Sequence, residues 1–187
     1  MNRVLSLDVS SSTIGWSLLT VDNFEIKIES HGHIKPPKGS EKKPMSLAMR
    51  ALKGQEIISN LIDQQKPDRI IIEDYVSRFA AGRSTAKTII VLSVFNEAIT
   101  MSCIIKTGKE PDKLGVLSLR SVLSKFSGNK ISSKEEVYEW VKTLKGFKCS
   151  KNKKGADKKE LEDEADAVAV GIATIIKTDS KNKYTLC

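Results

Sequence analysis

Leu161-Glu162-Asp163-Glu164-Ala165-Asp166-Ala167-Val168-Ala169-Val170-Gly171-Ile172-Ala173 is the stretch on which the reading of this chain turns. Past Asp166 it carries only apolar and small residues, and a helix that is apolar on nearly every side is a buried one. Asp163 and Asp166 stand one turn apart, so both carboxylates share a face of that helix. A buried carboxylate is costly unless it is paired or bound to a metal. Two of them, aimed the same way at the start of a buried helix, require a cation. The stretch reads as half of a metal site, and the other half has to come from elsewhere in the chain.

Two further acids close apolar strands. Residues 3–9, Arg-Val-Leu-Ser-Leu-Asp-Val, read as a strand with Asp8 last but one. Residues 69–73, Arg-Ile-Ile-Ile-Glu, read as a buried strand ending on Glu73. Each acid has a rival reading. Asp8 can open the Ser10-Ser11-Ser12 turn, and Glu73 can pair with Arg69 or a nearby lysine. Asp163 can be one more acid favoured by the helix dipole, among Glu160, Glu162 and Glu164. Which of those three glutamates assists a metal site stays open. Asp166, followed only by apolar residues, is harder to assign otherwise.

Taken as a set the four acids say more. If the two strands are neighbours, Asp8 and Glu73 lie side by side and the helix lays Asp163 and Asp166 across them. Four close carboxylates repel unless divalent cations neutralise them. Hard oxygen ligands suit magnesium or manganese rather than zinc. Two such ions roughly 4 Å apart clamp the attacking water and the leaving oxygen of a phosphodiester.

Composition supplies a reason for that chemistry. The 187 residues hold 25 lysines and 6 arginines against 23 acids, a net charge of +8. A basic domain suits a polyanionic partner, although a lysine-rich surface alone says little. Cys103, Cys149 and Cys187 form no C-x-x-C pair, which argues against zinc and for a reducing compartment. No charged-then-apolar leader precedes the first strand, and the apolar runs read as too short or too interrupted to span a bilayer. The expectation is a cytosolic protein, associated with the nucleoid if its host is a bacterium or phage.

The element order follows from periodicity and turn signals. Strands at 3–9, 13–21 and 24–34 form an antiparallel meander, with Asp22-Asn23 as a hairpin signal. A loop over 35–46 holds four lysines and leads, from a Ser46 cap, into a helix to about 64. After the strand at 69–73 come a basic loop at 77–83 and a long apolar helix over 84–106. A strand at 114–118, a helix at 119–126 and a helix capped by Ser132 or Ser133 and running to Leu144 complete the middle. Residues 145–159 carry seven lysines against Asp157, and the last helix spans 159–177. The fold class is α/β: a mixed five-stranded sheet, antiparallel meander plus parallel strands, flanked by helices. It is read as a single domain over 1–178 with a polar tail at 179–187 that frays. His31 and His33 alternate on the third strand and read as a half-exposed sheet face rather than as metal ligands.

The chain resembles the RuvC-type Holliday junction resolvases of the ribonuclease H-like superfamily. Leu5-Ser6-Leu7-Asp8-Val9-Ser10-Ser11-Ser12-Thr13-Ile14-Gly15-Trp16 is similar to that family's first strand, acid, small-residue turn and Thr-Gly-aromatic second strand. Ile70-Ile71-Ile72-Glu73-Asp74 resembles its second acidic strand, and Asp163-x-x-Asp166-Ala167-x-Ala169 its closing helix. The resemblance implies that Asp8, Glu73, Asp163 and Asp166 bind two magnesium ions, with manganese able to substitute, and that Lys134 serves the catalytic site. It implies a homodimer that nicks a four-way DNA junction symmetrically; whether a branch-migration helicase assists is open. Ile89, Ile90, Val91, Val94, Ala98 and Met101 on the long helix are candidates for the dimer face or for packing on the sheet. Tyr75 or Phe79 would wedge into the junction by stacking on bases.

Arg78, Arg83, Lys130, Lys151, Lys153 and Lys154 are the further candidate DNA contacts. A second family lysine falls on Leu123 here, with Arg120 or Lys125 as substitutes. The 145–159 stretch is either an added DNA-binding loop or a solvated one. Three other readings stand beside the resolvase. One is a ribonuclease H-like nuclease acting on RNA or hybrid duplex, and another a non-cleaving junction-binding protein. The third is a phosphate-loop fold of the actin and sugar-kinase type, suggested by Asp8-x-Ser-Ser-Ser-Thr, which needs two such domains and a longer chain.

Overall fold

The structure is a computed structural model that describes residues 1–40, 42–74, 86–150, 159–179 and 182–187. The chain opens with β1 (Asn2–Val9), β2 (Ile14–Asp22) and β3 (Glu25–Ile34), then a small hairpin of β4 (Gly39–Ser40) and β5 (Lys43–Pro44). Helix α1 (Leu47–Gln65), β6 (Arg69–Asp74), α2 (Ala86–Thr107), β7 (Asp112–Gly115), α3 (Val116–Ser127) and α4 (Lys134–Lys142) follow. Helix α5 (Glu160–Thr178) and β8 (Thr185–Leu186) end it. The main sheet runs β7-β6-β1-β2-β3-β8. β1, β2 and β3 are antiparallel neighbours, and β6 and β7 join β1 in parallel.

Strand alternation divides the core in two. Leu5, Leu7, Ile70 and Ile72 point to one face, where they pack with Ile58, Phe95 and Ile99 of α1 and α2. Val4 and Ile71 point to the other, onto Ala165, Val168 and Ile172 of α5 and onto α3 and α4. Because side chains repeat every second residue, Asp8 and Glu73 fall on the α5 face, in line with Val4 and Ile71. The small residues of α5 let it settle directly on the sheet. A Cβ added at Gly171 would lie 2.6 Å from Leu19 and 2.9 Å from the Ser6 side chain.

Four details differ from the sequence reading. The expected five strands are six, because the tail does not fray: Thr185 and Cys187 donate to the carbonyls of Phe24 and Ile26. Tyr184 meets Phe24 edge-on, with centroids 5.9 Å apart. That contact braces the β2–β3 turn, whose central residues, Asn23 (φ 47°) and Phe24 (φ 64°), both have the positive φ of a type I′ hairpin. The 114–118 strand is β7, ending at Gly115, and α3 starts at once on Val116. The β4–β5 hairpin lies inside the predicted loop. Finally, α2 reaches a mean hydropathy of 1.9 over 18 residues, long and apolar enough to cross a membrane by length and composition. In this fold 33% of that window is buried, with Phe95 and Ile99 in the core between the sheet and α1.

Candidate active site

The β1–β6 register pairs Leu7 with Ile72, so the next residues, Asp8 and Glu73, stand beside one another at the strand ends. Both line the same cleft, and the nearby Glu73 carboxyl helps to raise that of Asp8. Across β2, Asp8 pairs with Gly15, and the backbone carbonyl of Asp163 lies over that glycine. A Cβ there would sit 2.0 Å from the Asp163 oxygen. The absent side chain therefore lets the first turn of α5 rest on β2 and brings Asp163 and Asp166 to Asp8. One carboxylate oxygen from each of Asp8, Asp163 and Asp166 lies within 4.8 Å of the others.

The electrostatics are those of crowded acids. Burial and the neighbouring Glu73, Asp166 and Asp163 push Asp8 well above the usual carboxylate range. Burial also raises Glu73 and Asp166, the latter only partly offset by Lys134. The Lys134 Nζ stands 2.8 Å from Asp166 and 3.5 Å from Asp163. Burial opposes its charge, but Asp166, Asp163 and Asp8 outweigh that and hold it firmly protonated. Lys134 opens α4, whose start is fixed by a capping box between Ser133 and Glu136.

The acids and Lys134 line a cleft of 340 Å³ with Arg120 on its wall. Arg120 donates to the Ser132 carbonyl at 2.8 Å, and its charge lowers Glu73 against the effect of burial. Of the two substitutes for the second lysine, Arg120 reaches the cleft; Lys125 and Lys130 are exposed outside it. Beside Asp8 the serine turn is rigid. Ser10 Oγ accepts from the Thr13 amide at 3.0 Å and donates to the Thr13 carbonyl at 2.7 Å. Arg50, stacked over Phe95, donates to the Ser11 carbonyl.

A second groove, of 520 Å³, shares Ser10 and Asp163 with the cleft and carries Lys35, Lys38 and Lys159. Those lysines were not singled out from sequence; two lie in the loop before α1 and one at the start of α5. Tyr75, Arg78, Phe79, Arg83, Lys151, Lys153 and Lys154 lie outside the described residues.

Two glutamates considered for the cleft are engaged elsewhere. Glu160 pairs with Lys35 at 2.5 Å, which draws its carboxyl down to about 2. Glu164 is buried and accepts from both histidines of β3, His31 at 2.5 Å and His33 at 2.7 Å. The expected half-exposed histidine face therefore holds for His33, whose side chain is 32% exposed, but not for His31, which is covered. The His31 side chain is 7% exposed and its ring stacks on Phe147. No sequence signal linked these groups, because the partners lie 131 and 133 residues apart.

The donor set fits hard divalent cations. It offers carboxylate oxygens, half-buried together, whose like charge is relieved in part by Lys134 and Arg120.

No family model and no curated protein matches the sequence. Among solved structures, RuvC of Thermus thermophilus aligns over 96% of this chain and 96% of its own, with TM-score 0.66 at 15% identity. The T. thermophilus RuvC complex with a Holliday junction substrate gives TM-score 0.68 at 13% identity, covering 95% and 96%. The fowlpox virus resolvase, solved with Holliday junction DNA, gives 0.51 at 13%, covering 94% and 98%. The likeness is one of fold and extends over nearly the whole chain. The mixed sheet with its flanking helices is the fold that these solved structures share.

Proposed function

We propose that this chain, built on the resolvase fold, is a metal-dependent, structure-selective endonuclease that nicks four-way DNA junctions. The observation that carries the proposal is the convergence of Asp8, Glu73, Asp163, Asp166 and Lys134 in one cleft. A basic groove opens from that cleft.

The four carboxylates would hold two magnesium ions, or manganese in their place. Such ions supply Lewis-acid activation of water and charge neutralisation at the phosphodiester. The chain's own residues do the rest. Asp8 and Glu73, fixed on neighbouring strands, set one side of the centre. Asp163 and Asp166, fixed on α5, set the other. Lys134 balances the acids by pairing with Asp166 and Asp163; with a cation held there, its ammonium would be available to the substrate phosphate. Arg120 reinforces the positive wall. Lys35, Lys38 and Lys159 give the polyanionic strand a path away from the cleft, with affinity that falls as salt rises. Ile90, Val94 and Met101 on the outer face of α2 pair two copies of the chain, so that two cuts are made symmetrically. The proposed location is the cytosol, at the nucleoid if the host is a bacterium or phage.

The test is cleavage of a synthetic four-way junction beside linear duplex and RNA–DNA hybrid, with magnesium, manganese or chelator. Paired nicks confined to the junction and lost with chelator are expected. Asp8→Asn and Asp166→Asn should each abolish cleavage and retain or tighten junction binding, since each removes a ligand and a negative charge. Cutting of the hybrid alone would move the activity to a ribonuclease. Tight binding with no cleavage under either metal would leave a junction-binding protein.

A further inference from the structure

Helix α5 carries half of the carboxylate cluster; acids in its first turn suit the helix dipole and Lys35 holds one of them, but no side chain caps its start. Its first turn holds Glu160, Glu162 and Asp163, and Lys159 at the cap position makes no side-chain hydrogen bond to it. A helix start left uncapped frays readily, and the mutual repulsion of Asp163, Asp166 and Asp8 acts to drive it from the sheet. What grips it from the opposite side is Glu164. Its two oxygens are taken separately, Oε2 by His31 and Oε1 by His33.

The grip is itself braced. The Lys148 amide donates to His31 Nε2 at 2.9 Å. That nitrogen is therefore the acceptor, and the ring's proton sits on Nδ1, facing Glu164. Phe147 stacks on the ring with centroids 4.4 Å apart and planes 19° from parallel. Gly146, at φ 94°, allows that close seat: a Cβ there would lie 2.7 Å from the Ile28 carbonyl. One imidazole thus joins three things: the strand behind the centre, the helix that bears its carboxylates, and the backbone that leads into the lysines of 151–159.

We propose that His31 and His33 are positioning residues. Gripping Glu164 from β3, they hold the first turn of α5 at the rotation that turns Asp163 and Asp166 toward Asp8. The inference rests on the metal-dependent reading above. Groups that orient ligands without touching the metal typically change its affinity by about 10–100-fold when removed. His31→Phe keeps the ring's volume and its seat on Phe147 but loses both hydrogen bonds. Glu164→Leu removes the acceptor from between the histidines. Glu164→Gln keeps an acceptor for His31 and offers its amide to His33.

The experiment is Mn²⁺ titration of the DNA-free protein by calorimetry or electron paramagnetic resonance, with a thermal melt of each variant. Val21→Ala, a partly buried residue packed on the same core, serves as a stability-matched control. His31→Phe and Glu164→Leu should bind Mn²⁺ about tenfold more weakly, Glu164→Gln within about threefold of wild type, and Val21→Ala like wild type. Unchanged affinity in His31→Phe and Glu164→Leu would overturn the inference, as would a loss matched by Val21→Ala at equal melting temperature. A wild type that binds no Mn²⁺ would instead remove the metal centre itself, and the clamp's role with it.

Discussion

Asp8 shows how one residue can carry both fold and chemistry. Alternation puts it on the α5 face; register puts it beside Glu73. Both facts were legible in the sequence once the two strands were taken as neighbours. The turn-forming role suggested for Asp8 falls to Ser10, whose hydroxyl makes the turn's hydrogen bonds. The consequence for stability has a definite sign. A carboxyl raised in the folded state binds its proton more tightly there than in the unfolded chain. In the metal-free protein that costs nothing below the ordinary value of 3.8. The cost grows as pH rises toward the elevated folded value and is full above it. Asp8→Asn should therefore stabilise the metal-free protein at neutral pH, by about 1 kcal/mol or roughly 2–4 °C at this chain length. The gain should vanish near the ordinary carboxylate pKa. Thermal melts in chelator across pH 3.5–7.5 would show it, and a gain independent of pH would mean that crowded charge is not the cause.

At the scale of elements the decisive contact is backbone on backbone. Helix α5 meets β2 at Gly15, and any side chain there would strike the Asp163 carbonyl. The carbonyl cannot swing aside as a flexible side chain would. Gly15→Ala should lower unfolding stability by at least the upper part of the usual overpacking range of about 1–3 kcal/mol, and should weaken metal binding with it. Gly115→Ala, where nothing lies within 4 Å of an added Cβ, should stay within about 1 kcal/mol of wild type; urea titration of both variants measures the difference. Equal losses at the two glycines would remove the argument.

The helix was legible because small residues run along it and its two aspartates share a face. The meander was legible from its alternation. The histidine clamp was not, since a strand histidine finds its carboxylate only when α5 is laid across β3. Nor was β8, which is two residues long and is held by backbone hydrogen bonds to β3 and its turn and by Tyr184 packed on Phe24. The basic groove was hidden for the same reason: its lysines come from segments more than a hundred residues apart.

Across the whole molecule, α2 poses the problem that one copy leaves unsolved. One face is buried, with Phe95, Ile99 and Cys103 in the core. The opposite face stays apolar too: Ile90 is 59% exposed, Met101 55% and Ile105 71%, with Val94 and Ile104 between them. At 100° per residue these five fall on one side of the helix, interrupted by Glu97, which pairs with Lys113. Met49 and Leu52 of α1 add to the exposed apolar surface. An apolar face of this extent calls for a cover, and a two-fold pairing of α2 with its own copy, as proposed above, would supply one with a self-complementary surface. Such a pairing also gives a junction nuclease two centres related by symmetry, as two symmetric cuts require. Light scattering should then give the wild type twice the chain mass of 20.6 kDa, and Met101→Glu with Ile105→Glu a single chain mass. The monomeric variant should still bind manganese, since the carboxylates lie on the far side of the sheet from the α1–α2 core, but its junction nicks should lose their pairing. A wild type of single mass that nevertheless makes paired nicks would show that the two cuts do not depend on this face.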